Sequence, residues 1–347
     1  MILDSNAEMA WPSGDIPGEL DFHHQVSRDT YEVLTGILYD VFEPVRCSKL
    51  TIHSLTPSSN IAGRYKIQTP NGSWFARVSS REGSPALEKQ IIDHLHQNGV
   101  PTNPLLVSGH KFINRERSYY LTIQNLLDGR HFDGSDTDLY NLGLTLSKCH
   151  EALRDCPIKE QISRLTETHI KRIFALKDVV EQAFYSEQFA IFKEYQDWIQ
   201  INYEWVSNAI TNWPSLLPYK EEHQCLHGEI HQGNVIYNRE DGTAILIDFE
   251  ESCHVFTTVK WDLAFSVQRF CMKDNPLQNI LMSRIAAFSK GYGQTMPDIS
   301  HTMRCISWYT FARILDLRIN HHIITPVNEL DKFMQLEQQA LTIRGLI

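Results

Sequence analysis

The feature that most limits what this chain can fold into is a change of hydrophobic period near Asp138. Before it, the apolar residues alternate or run in strand-length blocks; after it, they recur mostly at helical spacing to the end of the chain. LTIHSL at 50–55 reads as a strand. RYKIQT and SWFARVS flank Pro70-Asn71-Gly72, and an Asn-Gly between two strand-like runs predicts a tight hairpin. Upstream, Ser27 caps a predicted helix that sets Leu34, Ile37, Leu38 and Val41 on one face. SPALEKQIIDHLHQNG predicts a helix opened by Ser84-Pro85 and closed by Gly99, and a second hairpin-like section leads to YYLTIQNLLDG.

Beyond Asp138, LYNLGLTLSKCHEAL is one amphipathic helix and 160–213 predicts two longer ones. Their aromatic residues (Phe174, Phe184, Phe189, Phe192, Trp198, Tyr203, Trp205) are expected in the core. A short strand-loop-strand section, CLHGEIHQGNVIYN to AILIDFE, interrupts the helices, and three more helices follow around 275–291, 300–319 and 326–343. Gly291-Tyr-Gly293 falls at a helix end and reads as a C-cap. The expected fold class is α+β with two lobes: a small antiparallel sheet with one helix, then a larger and mostly helical part.

Composition narrows the function. With 347 residues the chain has room for about two domains. At 42% hydrophobic residues it can bury a sizeable core, which excludes a disordered chain. The formal charge of −10 and the lack of a basic block argue against a nucleic-acid partner, whose phosphates need a cationic surface. No run is long and apolar enough for a membrane span. Residues 1–26, with Pro12, Gly14, Pro17 and Gly18, read as an irregular tail without the basic start of a signal peptide. The seven cysteines form no Cys-x-x-Cys pair and are expected to be packed, reduced thiols. The chain is therefore expected to be cytoplasmic.

The chemistry concentrates in His227-Gly228-Glu229-Ile230-His231-Gln232-Gly233-Asn234 and in Ile247-Asp248-Phe249-Glu250. A loop carboxylate and an Asn five residues on aim two oxygen-bearing groups at one place, and Asp248 arrives at the end of the next hairpin strand. Such oxygens suit a hard cation such as Mg²⁺ together with phosphate oxygens. The remaining carboxylate can take a proton from an attacking hydroxyl. His231 with His227 and Glu229 suggests zinc, but no third ligand lies at metal spacing and the HExxH arrangement is absent. His227 reads as a brace for the loop. The GxxxxGK[ST] phosphate loop is absent too.

These motifs resemble the aminoglycoside phosphotransferase superfamily, which includes choline kinases, type II homoserine kinases and related small-molecule kinases of protein-kinase-like fold. The family pattern H-G-D-x-x-x-x-N, hydrophobic-D-F/W-D/E and D-L-A is met by His227-Gly228-Glu229 with Asn234, by Ile247-Asp248-Phe249-Glu250, and by Asp262-Leu263-Ala264. Ser59-Asn60 resembles the family's nucleotide loop, Arg77 its strand-borne cation, Glu88 its helix acid, Leu126-Leu127-Asp128-Gly129 its hinge, and His150 the end of its L-A-x-L-H helix. The resemblance implies a kinase using ATP and Mg²⁺ on a small-molecule hydroxyl. It implies an N-lobe at 27–127 that holds nucleotide and a C-lobe at 128–347 that holds the catalytic loop and the acceptor. Glu229 would accept the hydroxyl proton, Asn234 and Asp248 would hold magnesium, and Arg77, paired with Glu88, would grip phosphate bidentately. Asn60 would cover the nucleotide, and backbone groups from Gln124 to Leu126 would meet adenine. Asp262 would support the catalytic loop, and Glu250 stands between a supporting role and a solvated acid.

Two departures stand out. The family's base is Asp and this chain has Glu229, one methylene longer; a displacement of ~1 Å at a catalytic group can cost on the order of 100-fold. The stretch from Asp248 to Asp262 lacks the usual Gly and Pro. The Glu raises a nucleotide-binding pseudokinase as an alternative. LDGRHFDG, which resembles the homoserine-kinase-like and stress-kinase-like branch, raises a protein Ser/Thr acceptor. The oligomeric state has no signature in the sequence.

Overall fold

The computed structural model describes residues 24–46, 49–55, 61–80, 83–185, 193–212, 222–274, 276–321 and 323–344. The Ser59-Asn60 loop, Phe189 and Phe192, and most of the expected tail lie outside the described residues.

A six-stranded antiparallel sheet forms the first layer, in the order β1-β2-β3-β4-β6-β5. Its strands are β1 (His24–Gln25), β2 (Thr51–Ser54), β3 (Gly63–Thr69), β4 (Gly72–Ser79), β5 (Leu105–Asn114) and β6 (Arg117–Asn125). Alternation sends Tyr65, Ile67, Ala76, Val78, Leu121 and Ile123 into one core, against Leu34 and Leu38 of helix α1 (Arg28–Val41). Ser27 caps α1 by accepting the Thr30 amide. Helix α2 (Pro85–Gln97) crosses between β4 and β5 in sequence. Its apolar face, Ile91, Ile92 and Leu95, joins the core of the C-terminal part, at about 1.5–3 kcal/mol per buried side chain. Further backbone ties join the two parts, including the Leu246 amide to the Pro101 carbonyl at 3.0 Å.

The β3–β4 hairpin closes differently from the Asn-Gly expectation. Thr69 pairs with Gly72, so the loop residues are Pro70 and Asn71, and neither Asn71 nor Gly72 has positive φ. Proline fixes φ near −65°, which rules it out of a turn that needs positive φ at both central positions. Such a turn occurs instead at Arg115 (φ 46°) and Glu116 (φ 68°) between β5 and β6, where no glycine marks it.

The C-terminal part is mainly helical: α3 (Asp136–Arg154), α4 (Lys159–Tyr185), α5 (Gln196–Ile201), α6 (Tyr203–Thr211), α7 (Lys260–Ser266), α8 (Gln278–Tyr292), α9 (Ser300–His321) and α10 (Val327–Ile343). The second long helix expected before 213 is two short ones. Asn202 marks the break, and both its backbone and its side-chain N–H bond the Trp198 carbonyl, as Asn side chains do where they compete with helix. Helix α7 and the π-helical turn Val267–Cys271 that follows it were not anticipated. Two small sheets lie among the helices: β10 (Ala244–Leu246), β9 (Val235–Asn238) and β7 (Gly129–Arg130) in one, β11 (Phe256–Thr257) and β8 (Gln224–Cys225) in the other.

Helices α3 and α8 touch backbone to backbone. A Cβ on Gly291 would lie 1.9 Å from the Tyr140 carbonyl oxygen, and one on Gly143 would lie 2.2 Å from that of Phe288. Gly293 (φ 80°) ends α8 as the expected cap, whereas Gly291 serves this crossing. The described cysteines are buried, and no disulfide forms among them. No helix among the described residues is long and apolar enough to cross a membrane.

Candidate active site

Between the large sheet and the C-terminal part lies a cleft with about 850 Å³ of empty space. Phe75, Leu105, Leu126, Ile236 and Ile247 give its wall apolar surface, and Arg77, Glu88, Asp248 and Asn234 give it charged and polar groups. Gln124 lines it from β6, with its side-chain amide on the Asn103 carbonyl at 3.1 Å. The Leu126 amide bonds the Ser73 carbonyl at 3.3 Å.

Asp262 builds the loop that carries Glu229. Fully buried at the start of α7, it accepts the amides of His227 and Gly228, both at 2.9 Å, and meets His150 Nε2 at 3.1 Å. His150 Nδ1 in turn faces the Tyr292 hydroxyl at 2.9 Å. Gly228 has φ 89°, and a Cβ there would press Val255 at 3.1 Å, so the position favours glycine twice over. His227 Nε2 lies 3.0 Å from the Ile247 carbonyl, and its Nδ1 accepts the Glu229 amide at 3.4 Å. That pairing assigns the proton to Nε2, and His227 is the brace expected of it. Ser252 closes the loop by donating to the His227 carbonyl at 2.9 Å.

Asn234 is buried and donates Nδ2 to the Glu229 carbonyl at 3.0 Å. Its Oδ1 has no partner among the described residues and belongs to the wall of the cleft. Asp248 sits at φ 63°, a left-handed conformation costly for any residue with a Cβ. The strained turn points its carboxylate at Arg77, Nη1 to Oδ1 at 3.3 Å. The same Nη1 reaches Glu250 at 3.1 Å, while Arg77 Nη2 stands 3.6 Å from Glu88. Glu250 is thus an ion-pair partner of Arg77, closer than the expected Glu88. Burial opposes the Arg77 charge, yet Asp248, Glu88 and Glu250 outweigh it and raise its pKa. Burial also pushes Glu88 up to about 7; Arg77 pulls against that, and Asp248 and Glu250 add to it.

Glu229 is exposed to solvent at its side chain while its surroundings are crowded with protein. Desolvation by the surrounding protein raises its pKa to about 7, with Glu251 and Asp248 adding to the effect and Arg313 and Arg269 opposing it. Arg313 of α9 forks onto Glu251, Nη2 to Oε1 at 2.7 Å and Nη1 to Oε2 at 2.9 Å. His169 of α4, lowered to about 4 mainly by burial and by Arg313 and Arg172, stays neutral near pH 7. His231 is lowered to about 4 by burial and Arg269.

The expected residues thus fall into one region. Arg77, Glu88, Asp248 and Asn234 share the cleft with Gln124 and Leu126, and Glu229 stands in the same loop as Asn234. Glu251, Arg269 and Arg313 were missed. For Arg313 a signal existed, since FARIL places a lone cation in an apolar helical run. Glu251 and Arg269 become visible only in three dimensions.

Comparison with known proteins identifies the family and the fold. The profile of the phosphotransferase enzyme family APH matches residues 56–297. The fold resembles that of a spectinomycin phosphotransferase solved with ADP and spectinomycin (TM-score 0.60, 12% identity, 90% of this chain and 98% of that one). It also resembles an ethanolamine kinase from Plasmodium vivax (TM-score 0.59, 13% identity, 95% and 94%) and an amicoumacin kinase solved with AMP-PNP, Ca²⁺ and its ligand (TM-score 0.54, 14% identity, 90% and 94%). No curated protein sequence matches the chain. With the profile covering well over half its length, the chain belongs to the APH phosphotransferase enzyme family and is a phosphotransferase of kinase-like fold.

Proposed function

We propose that the protein is an ATP- and magnesium-dependent kinase that phosphorylates a hydroxyl of a small molecule in the cytoplasm. The observation that carries this reading is the meeting of Arg77 with Asp248 at 3.3 Å, across a cleft whose wall also presents the free Oδ1 of Asn234. The apolar part of the cleft wall suits a purine, and its charged groups suit a polyphosphate. Under this reading residues 27–127 hold the nucleotide and 128–347 carry the catalytic loop and the acceptor, while Asn60 would belong to the nucleotide loop.

The donor set fits magnesium. Asn234 Oδ1 and the second oxygen of Asp248 have no protein partner among the described residues, and both are hard oxygen donors. These two residues would hold the ion, which neutralises charge on the phosphates when bound. Arg77 supplies a fixed cation for phosphate oxygens, steadied by Glu88 and Glu250. Gln124 and Leu126 belong to the wall that would face the purine.

Glu229 takes the proton of the acceptor hydroxyl as that oxygen bonds to the γ-phosphorus. The bond from this phosphorus to the β–γ bridging oxygen breaks, and ADP leaves. The transition state is loose, so holding the groups in line carries most of the catalysis. A carboxylate with pKa about 7 is well matched to that task near neutral pH. The acceptors of the similar folds, spectinomycin and ethanolamine by name, support a small hydroxylated compound. The test is ADP release and phosphate transfer with purified protein, ATP, and a panel of amino alcohols, sugars, hydroxy acids and aminoglycosides. Transfer that stops on chelation of magnesium supports the reading. A folded preparation that binds no ATP, or that transfers phosphate undiminished without a divalent cation, would sink it.

A further inference from the structure

The charged groups around Glu229 are not all balanced. Arg313 is taken up by the fork onto Glu251. Arg172 of α4 pairs with the buried Asp316 at 3.0 Å, and Glu329 of α10 pairs with Lys332 at 2.6 Å. His231 and His169 are neutral near pH 7. Arg269 stands apart. It lies on the π-helical turn Val267–Cys271, and its backbone carbonyl accepts Gln232 Nε2 at 2.7 Å, which fastens the turn to the loop that carries Glu229. Its guanidinium has no hydrogen bond or ion pair among the described residues, and its Nε is buried without a partner.

A buried N–H left without an acceptor costs free energy that a bound acceptor group would recover. A guanidinium raises that stake, because it stays charged and offers two parallel N–H groups spaced for an oxyanion. Glu229 and Glu329 are the acids whose charge reaches Arg269. One is the proposed base and the other is held by Lys332, so neither closes on it. The backbone is also special at this point: a π turn is rare, re-aims the side chains it carries, and recurs at functional sites.

We infer that the acceptor carries an oxyanionic group besides its hydroxyl, a carboxylate or a phosphate ester, and that Arg269 receives it. This deepens the proposed kinase reading and rests on it. The bound oxyanion would give the guanidinium of this part-buried residue the partner it lacks and hold the hydroxyl near Glu229. A compound of purely cationic or neutral chemistry leaves Arg269 unmatched. The net charge of −10 over the whole chain is no guide to this local site.

The test uses full-length protein and matched acceptors that share a carbon chain and hydroxyl but end in carboxylate, phosphate ester, carboxamide or amine. The expected result is a preference of about 10- to 100-fold in kcat/KM for an oxyanionic end over its carboxamide and amine twins. Whichever of carboxylate and phosphate is preferred identifies the source of the oxyanion. Arg269→Gln is expected to reduce that preference to near unity and Arg269→Lys to restore part of it, with thermal unfolding checking that both variants fold. A carboxamide or amine twin used as well as the carboxylate and phosphate overturns the inference. So does a preference untouched in Arg269→Gln, or no turnover of any twin by folded protein. Calorimetric ATP binding on the same preparations separates the two failures: intact ATP binding with an unselective acceptor site defeats only the Arg269 inference, and absent ATP binding defeats the kinase reading itself.

Discussion

The two ends of the site handle charge in different ways. On the side proposed to hold nucleotide one cation, Arg77, is shared among Asp248, Glu250 and Glu88 at 3.1–3.6 Å, an excess of acid that a bound metal ion and phosphate chain would rearrange. On the side proposed for the acceptor the Arg313–Glu251 fork at 2.7 and 2.9 Å is closed on itself, and Arg269 is left over among the described residues. An open, over-subscribed ion cluster can exchange partners as a ligand arrives, whereas a closed bidentate pair serves as fixed scenery. The first arrangement suits a polyphosphate that comes and goes with its cation. The second suits a wall that positions a small compound.

Both sides depend on Asp262, so the largest effect is expected there. Asp262→Ala would leave the amides of His227 and Gly228 and the His150 ring without their buried acceptor, at a cost of roughly 3–5 kcal/mol. Thermal unfolding should register a marked drop in Tm, and an unchanged Tm would show that the loop is held by something else. Asp248→Asn breaks only the nucleotide side. Its kcat should fall on the order of 1,000-fold with the fold intact, as when a charge-stabilising group is removed, and a fall below tenfold would remove Asp248 from the metal-holding role.

Glu229→Gln, on the acceptor side, should lower kcat by about 100-fold or more, the low end of what general-base catalysis supplies. The pH profile sharpens this. As the proposed base Glu229 would act only when ionised, so with its pKa raised to about 7 the rate should climb between pH 6 and 8 and level off above. The smallest effect is a shift of that profile. Glu251→Gln removes an acid that raises the Glu229 pKa and releases Arg313, which lowers it, so the midpoint should move to lower pH. A midpoint that stays put or rises would separate the two residues electrostatically. The raised values at Glu88 and Glu229 also bear on folding. Their protonated forms favour the folded state, a contribution complete below the ordinary carboxylate range and lost as pH rises through about 7.

Much of the fold was legible because its elements announce themselves locally. The Ser27 cap, the Ser84-Pro85 helix start and the alternation in RYKIQT and SWFARVS each follow from a few neighbouring residues, and each appears where expected. Local signals failed where two of them competed. Pro70 excluded the turn that Asn71-Gly72 suggested, and Asn202 broke a helix that hydrophobic spacing alone would have continued. Helix α7 escaped because it is short and mostly buried, so it shows no amphipathic contrast.

The sequence by itself marked the candidate groups: Glu229, Asn234 and Asp248 through oxygens at a loop spacing that suits a hard cation, and Arg77 and Glu88 through the resemblance of the whole motif order to a kinase family. Only the tertiary structure decided how those charges are shared. That Glu250 lies nearer to Arg77 than Glu88 does, that Glu251 is closed onto Arg313 from α9, and that Arg269 has no ion-pair partner among the described residues are all matters of distance between segments far apart in the chain. Coulomb interaction and desolvation depend on separation and burial, and neither quantity is written in residue order.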